Sequence, residues 1–303
     1  MATTANEALI ESWRLSLHDK APRTIDLYLR EVRRFAIWVA VADRPKDSPV
    51  DLLTVDRQDV EAWIRHMQGE GRAKATIRSR WIALRNFYGW LVEEDELDQS
   101  PLAKVRVPKP DPPPPDVLTE DQLRALLRAC EGRSFEDRRD AALFRFMLAT
   151  GLRVSETCDL ELADIDLTLR LATVRSGKGD KARIVRFDPA TAKALDRYLR
   201  VRARHPRYAR RRDLWIGFRG PLTRKGVPTI LDKRTGLAGI GHVHAHQLRH
   251  SWAHRWLANG GNEGDLQRLG GWANAEIMRR YGSAQAVDRA LAAYDNVDPM
   301  GEL

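Results

Sequence analysis

Three stretches in the first third of the chain repeat apolar residues at three- and four-residue spacing. Between Thr24 and Val41, the residues Ile25, Tyr28, Leu29, Val32, Phe35, Ala36 and Val39 fall on one stripe. That period predicts an amphipathic helix. Val60 to Met67 follows the same rule, and so does Thr76 to Glu93, with Ile77, Trp81, Leu84, Phe87, Tyr88 and Leu91. The other face of this last helix carries Arg78, Arg80 and Arg85, and Arg72 and Lys74 precede it. Basic side chains beside an apolar stripe suit a helix that packs inward and meets phosphate outward. An ordinary solvated charged face leaves the same pattern.

The pattern breaks at Pro108-Lys109-Pro110-Asp111-Pro112-Pro113-Pro114-Pro115-Asp116. Consecutive prolines fix φ and remove backbone donors, so an extended polyproline-II spacer is expected. The spacer divides the chain into a helical module, residues 1–107, a linker, 108–117, and a second module, 118–303. A bent surface loop inside one domain is the alternative.

In the second module, Thr119-Glu120-Asp121-Gln122 reads as a capping box. A helix should follow through Leu123, Leu126, Leu127 and Cys130. Another runs from about Arg138 to Thr150 and stops at Gly151, a natural left-handed cap. Ser155 is read as the cap of a third. Leu171 to Arg175 and Ala182 to Phe187 are rich in Val and Ile and flank Ser176-Gly177-Lys178-Gly179-Asp180, which predicts a β-hairpin. Helix resumes at Pro189, runs to about Arg202, and recurs from about Ala245 onward. A short alanine-rich tail helix is expected near 286–293. The whole reads as mainly α, with a small β-sheet in the second module only.

Charge changes the picture. The chain of 303 residues holds 51 Lys and Arg against 42 Asp and Glu, a net charge of +9. The sequence pI is about 9.8. Such a balance calls for a polyanionic partner. No apolar run approaches the ~20 residues that span a bilayer, so nucleic acid is favoured over a membrane. The N-terminus lacks the basic and apolar regions of a signal peptide, and a cytoplasmic, nucleoid-associated protein is expected. The segment from Arg200 to Arg219 holds eight arginines and one acid, Asp213, which suggests a surface that grips phosphate. Cys130 and Cys158 have no CxxC spacing and are expected as reduced, buried thiols. The histidines His242, His244, His246 and His250 lack a neighbouring ligand pattern, so no metal site is expected.

The candidate chemistry lies in the last two-thirds. Breaking a phosphodiester without metal needs fixed cations for the non-bridging oxygens, a nucleophile and an acid for the leaving oxygen. Arginine suits the first task, being planar, always charged and bidentate to phosphate. Arg153 follows the helix stop at Gly151. Arg249 lies one turn after His246, so both project from one helix face. Trp272 supplies an indole donor and Tyr281 a late phenol. Lys178 sits between two glycines at the hairpin tip.

Taken in order, these segments resemble the tyrosine recombinase (phage integrase) family, including its Xer-type members. They are Thr150-Gly151-Leu152-Arg153-Val154-Ser155-Glu156, Gly177-Lys178-Gly179-Asp180-Lys181-Ala182-Arg183, His246-Gln247-Leu248-Arg249-His250, Leu269-Gly270-Gly271-Trp272 and Tyr281. The resemblance is strong from about Leu118 onward and general before it. It implies a helical core-binding domain and a mixed α/β catalytic domain, closing as a C-shaped clamp on double-stranded DNA.

It also implies roles. Tyr281 attacks phosphorus and forms a 3′-phosphotyrosyl bond. Arg153 and Arg249 clamp the non-bridging oxygens, Lys178 protonates the leaving 5′ oxygen, and His246 assists proton transfer. Trp272 stands where many members carry histidine. Its indole donates but cannot shuttle protons, which leaves it a positioning residue. Glu156 would orient an arginine or histidine, and His250 would be a buried support.

The implied activity is site-specific recombination through a Holliday junction, without cofactor, metal or ATP. It would run in a homo-tetramer on two sites, or a hetero-tetramer with a related recombinase. A type IB topoisomerase and a DNA-binding regulator without strand exchange are the alternatives.

Overall fold

The computed structural model describes residues 4–41, 51–110, 115–175 and 182–272. The chain divides into two compact units, Met1–Pro113 and Pro114–Leu303. The boundary falls inside the proline run, much of which lies outside the described residues.

The first unit is helical: α1 (Thr4–Ser16), α2 (Pro22–Val41), α3 (Arg57–Gly69) and α4 (Lys74–Glu93). Its core takes the expected stripes. Leu29, Val32, Phe35, Ala36 and Val39 of α2 are buried, as are Ile77, Leu84, Phe87, Tyr88 and Leu91 of α4. Aromatic edges lock the helices together, with Trp13 against Phe87 at 5.1 Å and Phe35 against Trp63 at 4.9 Å between ring centroids. Two polar groups tie in the connection before α3. The Leu52 N–H donates to Asn6 Oδ1 at 2.9 Å, and the Tyr88 hydroxyl donates to the Leu52 carbonyl at 3.0 Å.

One expectation about α4 needs correction. Arg80 does not face outward with Arg78 and Arg85. Its side chain is 11% exposed and pairs with the buried Glu31 of α2 at 3.2 Å. Glu31 also draws in Arg30 and Arg34. A buried carboxylate takes its cations where it can reach them, and helical periodicity alone does not reveal that demand.

The second unit contains α5 (Glu120–Arg128), α6 (Phe135–Thr150), α7 (Val154–Cys158), β1 (Ile165–Asp166), β2 (Leu171–Val174), β3 (Arg183–Arg186), α8 (Pro189–Arg202), β4 (Ile216–Gly217), β5 (Gly220–Pro221), α9 (Gly226–Ala238), α10 (Ala245–Ala258) and α11 (Glu263–Gly270). The first three strands form an antiparallel sheet in chain order, with Ala172 opposite Val185 and Val174 opposite Arg183. Residues 176–181, where the hairpin turn is expected, and the tail helix expected near 286–293 lie outside the described residues. Among those described, no helix is long and apolar enough to cross a membrane.

α6 is the central rod of this unit. Ala142, Leu143, Phe144, Phe146 and Met147 are all buried, and the helix packs against α8 and α10. It begins three residues earlier than the apolar pattern suggests, because Ser134 and Asp137 close a capping box. Thr119 and Gln122 make the expected one ahead of α5. The cap of α7 differs: the helix starts after Arg153, so Ser155 lies within its first turn.

The arginine-rich segment is only partly a surface. Arg202 is buried and gives its donors to carbonyls, Nε to Leu214 at 3.1 Å and Nη2 to Arg211 at 2.7 Å. Arg204, Arg207, Arg210 and Arg219 remain exposed. Cys130 and Cys158 are free and buried. Burial pushes each thiol up to about 12.

Candidate active site

Four of the six sequence-expected residues converge where α7, α10 and α11 meet. Gly151 sets the first of them. It ends α6 in the left-handed region, φ 63°, and a Cβ there would strike the Trp252 ring at 2.0 Å. The tight turn delivers Arg153 to the head of α7.

Arg153 is held on two sides. Its Nη1 donates to Glu156 Oε1 at 2.8 Å, and its Nη2 donates to the Gly271 carbonyl at 2.9 Å. Glu156 is buried and reaches back to the Arg153 backbone N–H at 2.8 Å. Glu156 thus holds both the guanidinium and the backbone N–H of Arg153. It also accepts both ends of the Arg183 guanidinium, at 3.0 and 2.9 Å. Burial works to raise the Glu156 pKa, but hydrogen bonds and charge from Arg183 and Arg153 outweigh it, and the pKa lies below the ordinary glutamate value.

Arg249 projects from α10 and is 2% exposed. Its Nη1 donates to the Gly151 carbonyl at 2.5 Å, and its Nη2 donates to the Gly270 carbonyl at 2.6 Å. Trp272 covers the guanidinium, with the carbon centre 4.1 Å from the ring centroid. Such a cation–π contact contributes on the order of 1 kcal/mol. Trp272 itself stacks on Trp252 at 5.9 Å. Trp272 thus packs between Arg249 and Trp252.

His246 stands one turn before Arg249 on the open side of α10. Partial withdrawal of its ring from water, then the charges of Arg249 and Arg153, hold its pKa below 6.5. That shift favours the neutral imidazole, the form able to accept a proton. His250 is half-buried rather than buried, and it meets His246 edge to face at 4.3 Å. Lys178 and Tyr281 lie outside the described residues.

The end of α11 organises the pocket. Leu269, Gly270 and Gly271 offer three successive carbonyls, which accept from Arg183 at 2.8 Å, Arg249 at 2.6 Å and Arg153 at 2.9 Å. Unpaired carbonyls at a helix C-terminus carry partial negative charge and favour cations. Gly271 closes the helix at φ 61°, and a Cβ on it would press the Arg183 guanidinium at 3.2 Å. Sequence reasoning placed Arg183 inside a motif but gave it no task. Its only advance signal was a basic residue opening a strand at the edge of the glycine-rich turn.

The linker side of α10 is also tied down. The Gln247 amide donates to Asp116 Oδ2 at 2.6 Å, and the Leu118 N–H donates to the Ser251 hydroxyl at 2.9 Å.

Comparison with known proteins places the chain in a family. The phage integrase family model matches residues 116–287, and the phage integrase N-terminal SAM-like domain matches residues 10–95. The chain is 31% identical over 252 residues to tyrosine recombinase XerC of Corynebacterium efficiens, covering 82% of this chain and 80% of that one. It is 30% identical over 277 residues to tyrosine recombinase XerD of Lacticaseibacillus casei, covering 90% and 92%. The solved structure of the Tn1549 transposon integrase with transposon right-end DNA shares the fold, with a TM-score of 0.74 at 18% identity over 96% of this chain and 98% of that one.

Proposed function

This chain belongs to the phage integrase family of tyrosine recombinases, and from that premise we propose that it cuts and rejoins double-stranded DNA at specific sites through a covalent phosphotyrosine. The observation that carries the reading is the meeting of Arg153, Arg249 and Trp272 at the end of α11, with His246 one turn before Arg249 on α10 and within reach of both guanidinium charges.

In this reading the first unit, with the SAM-like match, is the core-binding domain, and the second is catalytic. Arg153 and Arg249 already spend inward donors on carbonyls and on Glu156, which fixes their guanidinium planes before DNA arrives. Preorganised cations of this kind stabilise the charge that builds on a phosphorus undergoing attack. Tyr281 is the nucleophile, and since an unperturbed phenol titrates near ~10, its attack needs assistance from nearby cations. The arginine pair supplies that assistance, and neutral His246 accepts or relays the proton. Lys178 protonates the leaving 5′ oxygen. Trp272 holds Arg249 and gives no proton.

The energy of the broken bond is kept in the phosphotyrosine, so a 5′ hydroxyl can rejoin the strand without ATP. Attack by a partner strand gives exchange through a Holliday junction, in a tetramer on two sites. The exposed arginines 204, 207, 210 and 219 are available for backbone phosphates.

A nicked duplex tests the reading. Its site is first selected from a random pool by the wild-type chain. The wild type is expected to leave a protein–DNA adduct on a denaturing gel. Tyr281→Phe is expected to bind the same duplex equally and to leave no adduct. An adduct that survives Tyr281→Phe, or none from the wild type, overturns the assignment.

A further inference from the structure

Arg183 opens β3 and is the arginine of the pocket with no part in the chemistry above. Its side chain is 12% exposed. Its fork takes both oxygens of Glu156, Nη1 to Oε1 at 3.0 Å and Nη2 to Oε2 at 2.9 Å. Its Nε donates to the Leu269 carbonyl at 2.8 Å. All of these contacts run inward, to the acid and to the end of α11.

Glu156 is therefore a shared carboxylate. Its side chain is 4% exposed and meets two guanidinium groups and the Arg153 backbone N–H. One negative charge against two positive leaves a surplus of one positive charge. Without Arg183 the surplus is gone. The buried carboxylate would then fall wholly on Arg153, leave the pair with no net charge and draw its donors inward. A buried carboxylate with too few partners also takes up a proton more readily.

We propose that Arg183 is a positioning residue for strand cleavage: it grips Glu156 and the end of α11, and so keeps the cluster net positive and Arg153 correctly turned for the scissile phosphate. This rests on the reading of Arg153 as a phosphate clamp. Arg183 acts through Glu156 and Leu269 and touches no reacting atom. A lysine there would keep the charge but lose the planar two-pronged grip.

Single-turnover cleavage of the selected nicked duplex decides the matter. It is measured at saturating protein and well below the melting temperature of each variant, so that the rate refers to folded, bound complexes. Arg183→Met is expected to slow cleavage on the order of 30-fold. Its DNA affinity should stay within about threefold, since the phosphate contacts elsewhere remain. Adding Glu156→Gln to it removes the competing charge and is expected to restore roughly fivefold.

The pH profile separates this role from mere support. Relative to wild type at the same pH, the Arg183→Met cleavage rate should rise as pH falls, because Glu156 protonates and releases Arg153 while protonation of His246 acts on both proteins alike. If Arg183→Met melts below the assay temperature, Arg183→Lys replaces it, with a loss of about tenfold expected.

A variant that cleaves at the wild-type rate overturns the proposal and leaves the recombinase reading standing. So does a double variant no faster than Arg183→Met, or a flat relative profile. A wild type that forms no adduct overturns both.

Discussion

Arg249 is 2% exposed, yet its guanidinium is charged at every accessible pH. Burying that charge is tolerable because carbonyls of Gly151 and Gly270 and the face of Trp272 surround it. His246 obeys the opposite constraint. It is free to lose its charge, and partial burial together with Arg249 and Arg153 makes it do so. Its imidazole should therefore titrate below 6.5 in the free protein, a shift that histidine NMR can follow with His246→Asn as the assignment control. A DNA phosphate between the arginines adds negative charge, so the bound protein should hold that proton more tightly. Affinity for DNA is then expected to rise as pH falls through this range, and His246→Asn should flatten the rise. A His246 that titrates at or above the ordinary value in free protein would contradict the electrostatics of the pocket.

Among elements, α6 joins the core to the site. Its last turn ends at Gly151, whose positive φ and closeness to Trp252 leave no room for a side chain. Gly151→Ala should cost about 3 kcal/mol, from the left-handed backbone and the displaced indole together. Urea unfolding measures it, and a loss under about 1 kcal/mol would mean the turn relaxes freely. Much of this architecture was legible beforehand. The stripes of α2 and α4, the Thr119 capping box and the glycine stop of α6 depend on near neighbours, which a linear reading sees. α9 was not legible, since Gly226, Pro228 and Gly236 weaken its local preference. What anchors it is distant: Arg234 donates to Asp140 at 2.7 Å, to Asp137 at 2.9 Å and to the Ala129 carbonyl at 2.8 Å. Glu31, Arg80, Arg183 and Arg202 escaped for the same reason. A charged residue reads as solvated until its tertiary partner is known. The ordered motifs placed Arg153, His246, Arg249 and Trp272 together because each is fixed by its own helix terminus or helix face.

At the scale of the whole molecule, each unit has a hydrophobic cluster of its own, one built on α1 to α4 and the other on α6 and its neighbours. Among the described residues, each cluster is drawn from its own unit. A protease site inserted after Pro110 should therefore yield two pieces that each melt cooperatively by circular dichroism. Their separate DNA affinities should fall well short of the intact chain, because linked binding raises effective concentration. A piece that unfolds on cleavage would contradict the independence of the cores. The net charge of +9 adds that binding should weaken steeply with salt.

The two native thiols have a practical corollary. Being buried and held near 12 in pKa, they present almost no thiolate to a maleimide at neutral pH. One cysteine engineered on an open helix face would take a fluorophore alone, with the natural pair left in place. Dye-labelled protomers could then be counted, and their approach timed by energy transfer, on a single DNA molecule.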